Sequence, residues 1–217
     1  MSSESTPIPV IANVSRIVTR VVDRVTGDRV DAPLLVAAAT VEALKTFGIE
    51  SQIMYGKAAW IEVLENQSVV WAGCWGDNYT FWVATKFGET VDLNTSVAHR
   101  KRSHWDLNLK AKYSPPILWS RELPKFYKYV PEGVAAVGLE DLKEERDQRN
   151  FKVVLAEIRE KCGPAHVTPD QYLDDAELEF PNEPILCPGR RILDDSTGSF
   201  KHFDRAVAVS GIPASPI

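Results

Sequence analysis

The chain has 217 residues, 44% of them apolar and 25% charged, with a net charge of −5. That length can bury a sizeable core and predicts one domain, or one domain with an extension. The acidic balance is wrong for a general nucleic-acid binder, and no apolar run approaches the roughly 20 residues that span a bilayer. Met1 to Pro9 is rich in serine and proline and lacks a basic region, so it does not read as a secretory signal. The three cysteines, Cys74, Cys162 and Cys187, are odd in number and contain no CxxC pair. They suit neither a disulfide framework nor a zinc site, and a reducing cytoplasm with free thiols is the expectation. No cofactor or metal is called for.

Ile11, Val14, Ile17, Val18, Val21, Val22 and Val25 recur at spacings of three and four, one apolar face of a helix. Arg20 and Arg24 fall in its last turns and Gly27 is its expected stop. Asp31 is placed to cap a second helix, with Pro33 in the first turn, where a missing N–H costs nothing. That helix, Leu34 to Phe47, is apolar nearly all round and should be buried at the centre of the fold. After Gly48 the period changes. Ile49 to Tyr55, Ala59 to Leu64, Ser68 to Ala72, Tyr79 to Lys86 and Glu89 to Leu93 read as short strands, with turns at Gly56, Glu65 to Gln67, Gly73 to Asn78 and Phe87-Gly88.

Val97 to Pro116 is polar and basic and reads as an exposed loop. The proline-punctuated stretch beyond it should be extended and irregular, anchored by Trp119, Phe126, Tyr127 and Tyr129. Leu139 to Lys161 reads as a charged helix with Val153, Val154, Leu155 and Ile158 on its buried side. The expected class is therefore α+β, a central buried helix on an antiparallel sheet. Residues 1–162 form the domain and residues 163–217 a proline-rich irregular extension.

The order of central helix, "GIESQIMYG", "YTFWVAT" and "GETVDLNT" resembles the transglutaminase-like/papain-like superfamily. That resemblance implies a cysteine nucleophile at the N-terminus of the central helix, a histidine base on one strand in an HxW setting, and an aspartate on the next strand that orients it. Carried onto this chain, the cysteine position falls near Ala32 and the histidine position on Thr80. The aspartate position falls on Asp92, and the tryptophan matches Trp82. Alanine has no nucleophile and threonine is no base at neutral pH. The resemblance thus implies a retained cleft without catalytic chemistry.

Other residues carry alternatives. Cys74, in "WAGCWGDNY", would serve a cysteine-dependent hydrolase or acyltransferase with His99 or His104 as base and Asp92 or Asp77 as orienter. The plainer reading is a small buried residue at a strand end. Trp60, Trp71, Trp75 and Trp82 would line an aromatic pocket for a small molecule, or simply pack the core. The basic run His99, Arg100, Lys101, Arg102, His104 and Trp105 lacks any phosphate-loop or RNA-binding signature and reads as solvated. Asp174, Asp175, Glu177 and Glu179 lack the EF-hand spacing, and His166 and His202 stand alone. The leading expectation is a non-catalytic binding or scaffold module for a peptide or protein partner. A small-molecule binder and a Cys74 enzyme follow.

Overall fold

The computed structural model describes residues 5–74, 78–100, 111–164, 185–187, 190–192 and 212. Trp75, Asp77, Lys101, Arg102, His104, Trp105, His166, His202 and the acidic residues from Asp174 to Glu179 lie outside them.

Three helices follow from the apolar periodicities. Helix α1, Ile8–Thr26, buries the predicted valine and isoleucine face and stops at Gly27, whose φ of 90° favours a residue without a Cβ. Helix α2 spans Pro33–Thr46 and buries Leu35, Val36, Ala37, Ala38, Ala39, Thr40, Ala43 and Leu44. Its N-cap is Ala32, with no side-chain cap. Asp31 is therefore not the cap. It belongs to a short 3-10 turn, Arg29–Asp31, whose own cap is Asp28, accepting from the Val30 N–H. This extra turn displaces Asp31 by one position from where a capping carboxylate would need to stand. Helix α3, Glu145–Lys161, starts later than the sequence pattern suggests, after a 3-10 turn at Leu139–Asp141. Its buried face is Phe151, Val154 and Ile158. Val153 is 45% exposed, so the valine pair at positions 153 and 154 straddles the boundary of that face.

The described residues contain nine strands in one sheet: β1 Ser51–Leu64, β2 Val69–Gly73, β3 Thr80–Thr85, β4 Thr90–Asp92, β5 Ala111–Tyr113, β6 Ile117–Ser120, β7 Tyr127–Ala135, β8 Ile185–Cys187 and β9 Arg190–Ile192. The order is β2-β1-β3-β4-β6-β8-β9, with β5 and β7 also paired to β1. All pairs are antiparallel except β6 with β8. The stretch after Tyr113 thus contains two strands where the sequence suggested irregular chain, with Trp119 in β6, Tyr127 and Tyr129 in β7, and Phe126 in the turn just before β7.

Strand β1 corrects the expected turn at Gly56. The strand runs straight through it, and the pairing with β7 shifts register there, between Tyr55 and Gly56. A glycine amid β-branched and aromatic residues marks either a turn or a bulge. Here a Cβ at Gly56 would stand 2.3 Å from the Val130 carbonyl oxygen, so the close strand approach requires glycine. Residues 51–56 of β1 pair with β3 and residues 59–63 with β2. Because Tyr55 pairs with both Phe81 and Gly133, and Trp60 with both Ala72 and Tyr127, β7 occupies the opposite edge of β1 from β2 and β3.

Two cores result. The helices pack on one sheet face, where Phe81, Val83, Val91, Ile117 and Trp119 meet Val18, Val22, Ala39, Leu44 and Val154. The other face curls around Ala59, Ile61, Val63, Trp71, Leu118, Phe126 and Tyr127. Ile185 and Cys187 of β8 join the helix-side core, so the chain beyond residue 162 contributes to the main sheet. The start of the chain is fastened by Glu89, which is 1% exposed. Its carboxylate accepts from the Thr6 N–H at 2.9 Å, the Thr6 hydroxyl at 2.6 Å, the Thr85 hydroxyl at 2.8 Å and the Trp119 indole at 3.3 Å. Four donors compensate the burial of a carboxylate that makes no salt bridge among the described residues.

Candidate functional site

Strand alternation sends Phe81 and Val83 to the helix side and Thr80 and Trp82 to the concave side of β3. Val83 pairs with Val91, so the next step of the antiparallel register sets Trp82 opposite Asp92. Trp82 packs edge-on against Tyr129 at 5.0 Å between ring centroids. Tyr129 reaches across the curl of the sheet from β7 and donates its hydroxyl to Asp92 Oδ2 at 2.7 Å. The other carboxylate oxygen accepts from the Asn94 N–H at 2.8 Å. Asp92 is 5% exposed and Thr80 8%.

The connection to α2 runs through Asn94 and Arg29. Asn94 Nδ2 donates to the Arg29 carbonyl at 3.0 Å, and the Ala32 N–H donates to the same oxygen at 2.9 Å. The Arg29 side chain is fully buried and bonds the Leu93 carbonyl at 3.1 Å, the Ser96 hydroxyl at 3.1 Å and the Asp23 carboxylate at 2.5 Å. Ala32, Asn94 and Asp92 are thus tied together by short bridges, with Thr80 one strand away from Asn94. Ala32 itself faces a cavity of about 310 Å³ on the helix side, lined among others by Leu34, Leu35, Phe81, Phe151, Asp147 and Asn150.

Burial pushes the Asp92 carboxyl above its ordinary range, while the Tyr129 hydroxyl, the Asn94 N–H and the Arg29 charge pull it back. Tyr129 is held well above 10, chiefly by burial and then by the charge and hydrogen bond of Asp92. Tyr127, whose hydroxyl donates to the Pro116 carbonyl, is raised in the same way by burial. The phenol therefore remains protonated at neutral pH and is a donor to Asp92, never a base. One carboxylate oxygen that could hold an imidazole is already taken by Tyr129.

The other sequence-predicted residues occupy separate places. Cys74 follows β2, with its N–H on the Ala58 carbonyl at 3.0 Å, and lies close enough to Tyr129 to raise that phenol's pKa. His99 sits in a 3-10 turn, Thr95–Arg100, with Nδ1 3.1 Å from Ser114 Oγ. Trp71 is buried in the concave core and Trp60 packs at its margin, donating to Glu62 at 3.0 Å. Burial raises the Glu62 carboxyl and the Trp60 indole N–H opposes it. Cys162 is pushed up to about 12 by burial, against the nearby Arg16 charge, so it is inert at neutral pH. Among the described residues no group of three or more histidine, cysteine or acidic side chains could hold a metal ion. No helix among them is long and apolar enough to cross a membrane.

The sequence marked Tyr129 only as an anchoring aromatic and gave no site role to it, Asn94 or Arg29. The Tyr127–Tyr129 spacing of two, which sets both rings on one strand face, was the available signal. No family model matches the chain, and no curated protein matches it either. One solved structure, described only as the crystal structure of genomics APC5867, is 13% identical, with 86% of this chain and 98% of that chain covered at a TM-score of 0.45. That likeness is too low to bear on fold or function.

Proposed function

We propose that this chain is a non-catalytic, transglutaminase-like binding module that holds a peptide or protein segment in the cleft at the start of α2. The observation that carries the reading is Ala32 as the uncapped N-terminal residue of the buried central helix, facing the 310 Å³ cavity. The place where a nucleophile would gain most from the helix dipole holds a methyl group. On the opposite face of the sheet, Asp92 is engaged by a phenol that stays protonated. What remains is a shaped recess. Pro33, Leu34, Leu35, Phe81, Leu142 and Phe151 give it apolar walls, and Asp31, Asp147 and Asn150 give it a polar mouth. That composition suits an apolar side chain flanked by a donor or a cation.

Filling the recess tests the binding role. Peptides selected from a random library against the wild-type protein should bind the Ala32→Trp variant at least about tenfold more weakly, a loss of roughly 1.4 kcal/mol. Equal affinity for both proteins would remove the cleft from consideration.

The family likeness has its own test. In a Cys74→Ser background, Ala32→Cys should place a thiol at the α2 N-terminus, where the dipole favours the thiolate. Alkylation by iodoacetamide at neutral pH is then expected to run several-fold faster than for an unstructured cysteine peptide. A slower rate than the peptide would mean that this helix start is not built to activate a nucleophile, and the transglutaminase-like reading would fall.

A further inference from the structure

The recess at the start of α2 holds about 310 Å³, near the lower limit for a small-ligand site, so it admits one residue rather than a stretch of chain. Leu35 and Phe151, both buried in the core, close its bottom. Leu34, Phe81 and Leu142 are only partly buried and form its walls. Two carboxylates and no cation stand among the lining residues. These two, Asp31 and Asp147, are exposed, and their side chains make no hydrogen bond or ion pair among the described residues. Asp31 precedes α2 and Asp147 lies in the first turn of α3, places where a carboxylate is stabilised without a cation of the protein's own.

The order of these groups selects the occupant. The apolar surface is deep and the negative charge is at the rim. A lysine or arginine side chain carries its charge at the far end of an apolar stem, so inserting one would press the cation against Leu35 and Phe151. The occupant must instead bury an apolar group and keep its cation at the entrance. The first residue of a peptide does this, because its α-ammonium and its side chain leave the same carbon. The helix start supplies a matching pair of donors. Ala32 caps α2 without a side-chain bond, and the Leu34 and Leu35 N–H groups have no partner among the described residues. The carbonyl next to the peptide's first α-carbon is the acceptor they lack.

We infer, resting on the cleft reading given above, that the recess captures the free N-terminus of a partner chain whose first residue is large and apolar. The side chain fills the pocket down to Leu35 and Phe151. The α-ammonium meets Asp31 and Asp147 at the rim, and the first carbonyl accepts from the start of α2. Capture of a chain terminus in this way reads charge and side chain together. Acetylation of the terminus removes the charge and leaves both carboxylates unmatched. The charged part of the binding weakens as salt screens it.

The test uses the full chain and a peptide labelled with fluorescein at its C-terminus and beginning with a free leucine. Its N-acetylated twin and a peptide beginning with a free serine are the comparators. Anisotropy titration at low salt should show saturable binding of the leucine peptide and binding about tenfold or more weaker for both comparators. The double variant Asp31→Asn, Asp147→Asn should bind the leucine peptide no better than the wild type binds the acetylated one. Circular dichroism verifies that the double variant keeps its fold, and Asp147→Asn alone, with an intermediate loss, serves if the pair disturbs it. Equal binding of the free and acetylated peptides, both weakened by Ala32→Trp, would overturn the inference and leave the cleft reading standing. Equal affinity of the wild type and both aspartate variants for the leucine peptide would overturn it too, as would the lack of any saturable binding. The cleft reading falls only if library-selected peptides bind the wild type and Ala32→Trp alike.

Discussion

Replacing Arg29 with methionine is expected to lower the unfolding free energy by about 3–5 kcal/mol. Methionine fills most of the volume, so the loss is polar in origin and owes little to a cavity. The Leu93 carbonyl and the Ser96 hydroxyl lose their donor, and the Asp23 carboxylate loses its cation. Asp23 is 33% exposed and water can reach it, so its share is discounted. The Leu93 carbonyl, left inside the core without the Arg29 donor, therefore carries most of the effect. Removing the Arg29 charge also takes away one of the three influences that hold the Asp92 carboxyl down. Urea denaturation at neutral pH measures the loss. Arg29→Lys should recover less than half of it, because an ammonium cannot reproduce the planar fork that reaches three acceptors. A loss below about 1 kcal/mol for Arg29→Met would mean that the buried network contributes no more than a surface pair.

That arginine also shows where sequence reading stops. The stops of α1 and α2 and the proline that opens α2 were legible because Gly27, Gly48 and Pro33 act locally, through φ and a missing N–H, whereas the α2 cap and the start of α3 were not. The all-round apolar character of α2 placed it at the centre of an α+β fold, as found. Asp92 was legible as an acidic residue of the strand that became β4. Its partner was not. Tyr129 meets Asp92 only because the sheet curls far enough for a strand on one side of β1 to reach a strand two places away on the other, and no local pattern encodes that curvature. Arg29 was invisible for a related reason: its acceptors include a backbone carbonyl 64 residues away, and carbonyls are the same in every sequence. Gly56 misled because one residue type serves both a turn and a bulge, and the choice is made by the β7 strand that crosses it.

The concave core is expected to make the protein unusually sensitive to alkali. Tyr127 and Tyr129 both have folded-state values raised well above the ordinary 10.0. Below about pH 10 the phenols are protonated in both states and stability does not depend on them. Above it, the unfolded chain releases protons that the folded chain keeps, so the folded state binds more protons and stability falls as pH rises. Each phenol adds a slope of about 1.4 kcal/mol per pH unit, and the pair roughly 2.7. Tyr129 is partly exposed, so its share is an upper bound. Asp92 acts in the same direction at lower pH. Its folded value is raised by burial, so its contribution is complete below the unfolded value of about 3.8 and is lost as pH climbs through the folded one. Tyr129→Phe removes a hydrogen bond that opposes this rise, so the loss from Asp92 should move to higher pH while the alkaline slope halves. Tyr127→Phe should also halve the alkaline slope and cost only about 1 kcal/mol at neutral pH, since Thr95 still donates to the Pro116 carbonyl at 2.6 Å. Urea midpoints across a pH series separate these effects. Were the wild type and the double phenylalanine variant to lose stability in parallel above pH 10, the two phenols would be titrating alike in both states, and a water-exposed hydroxyl pair would have to replace the buried one described here.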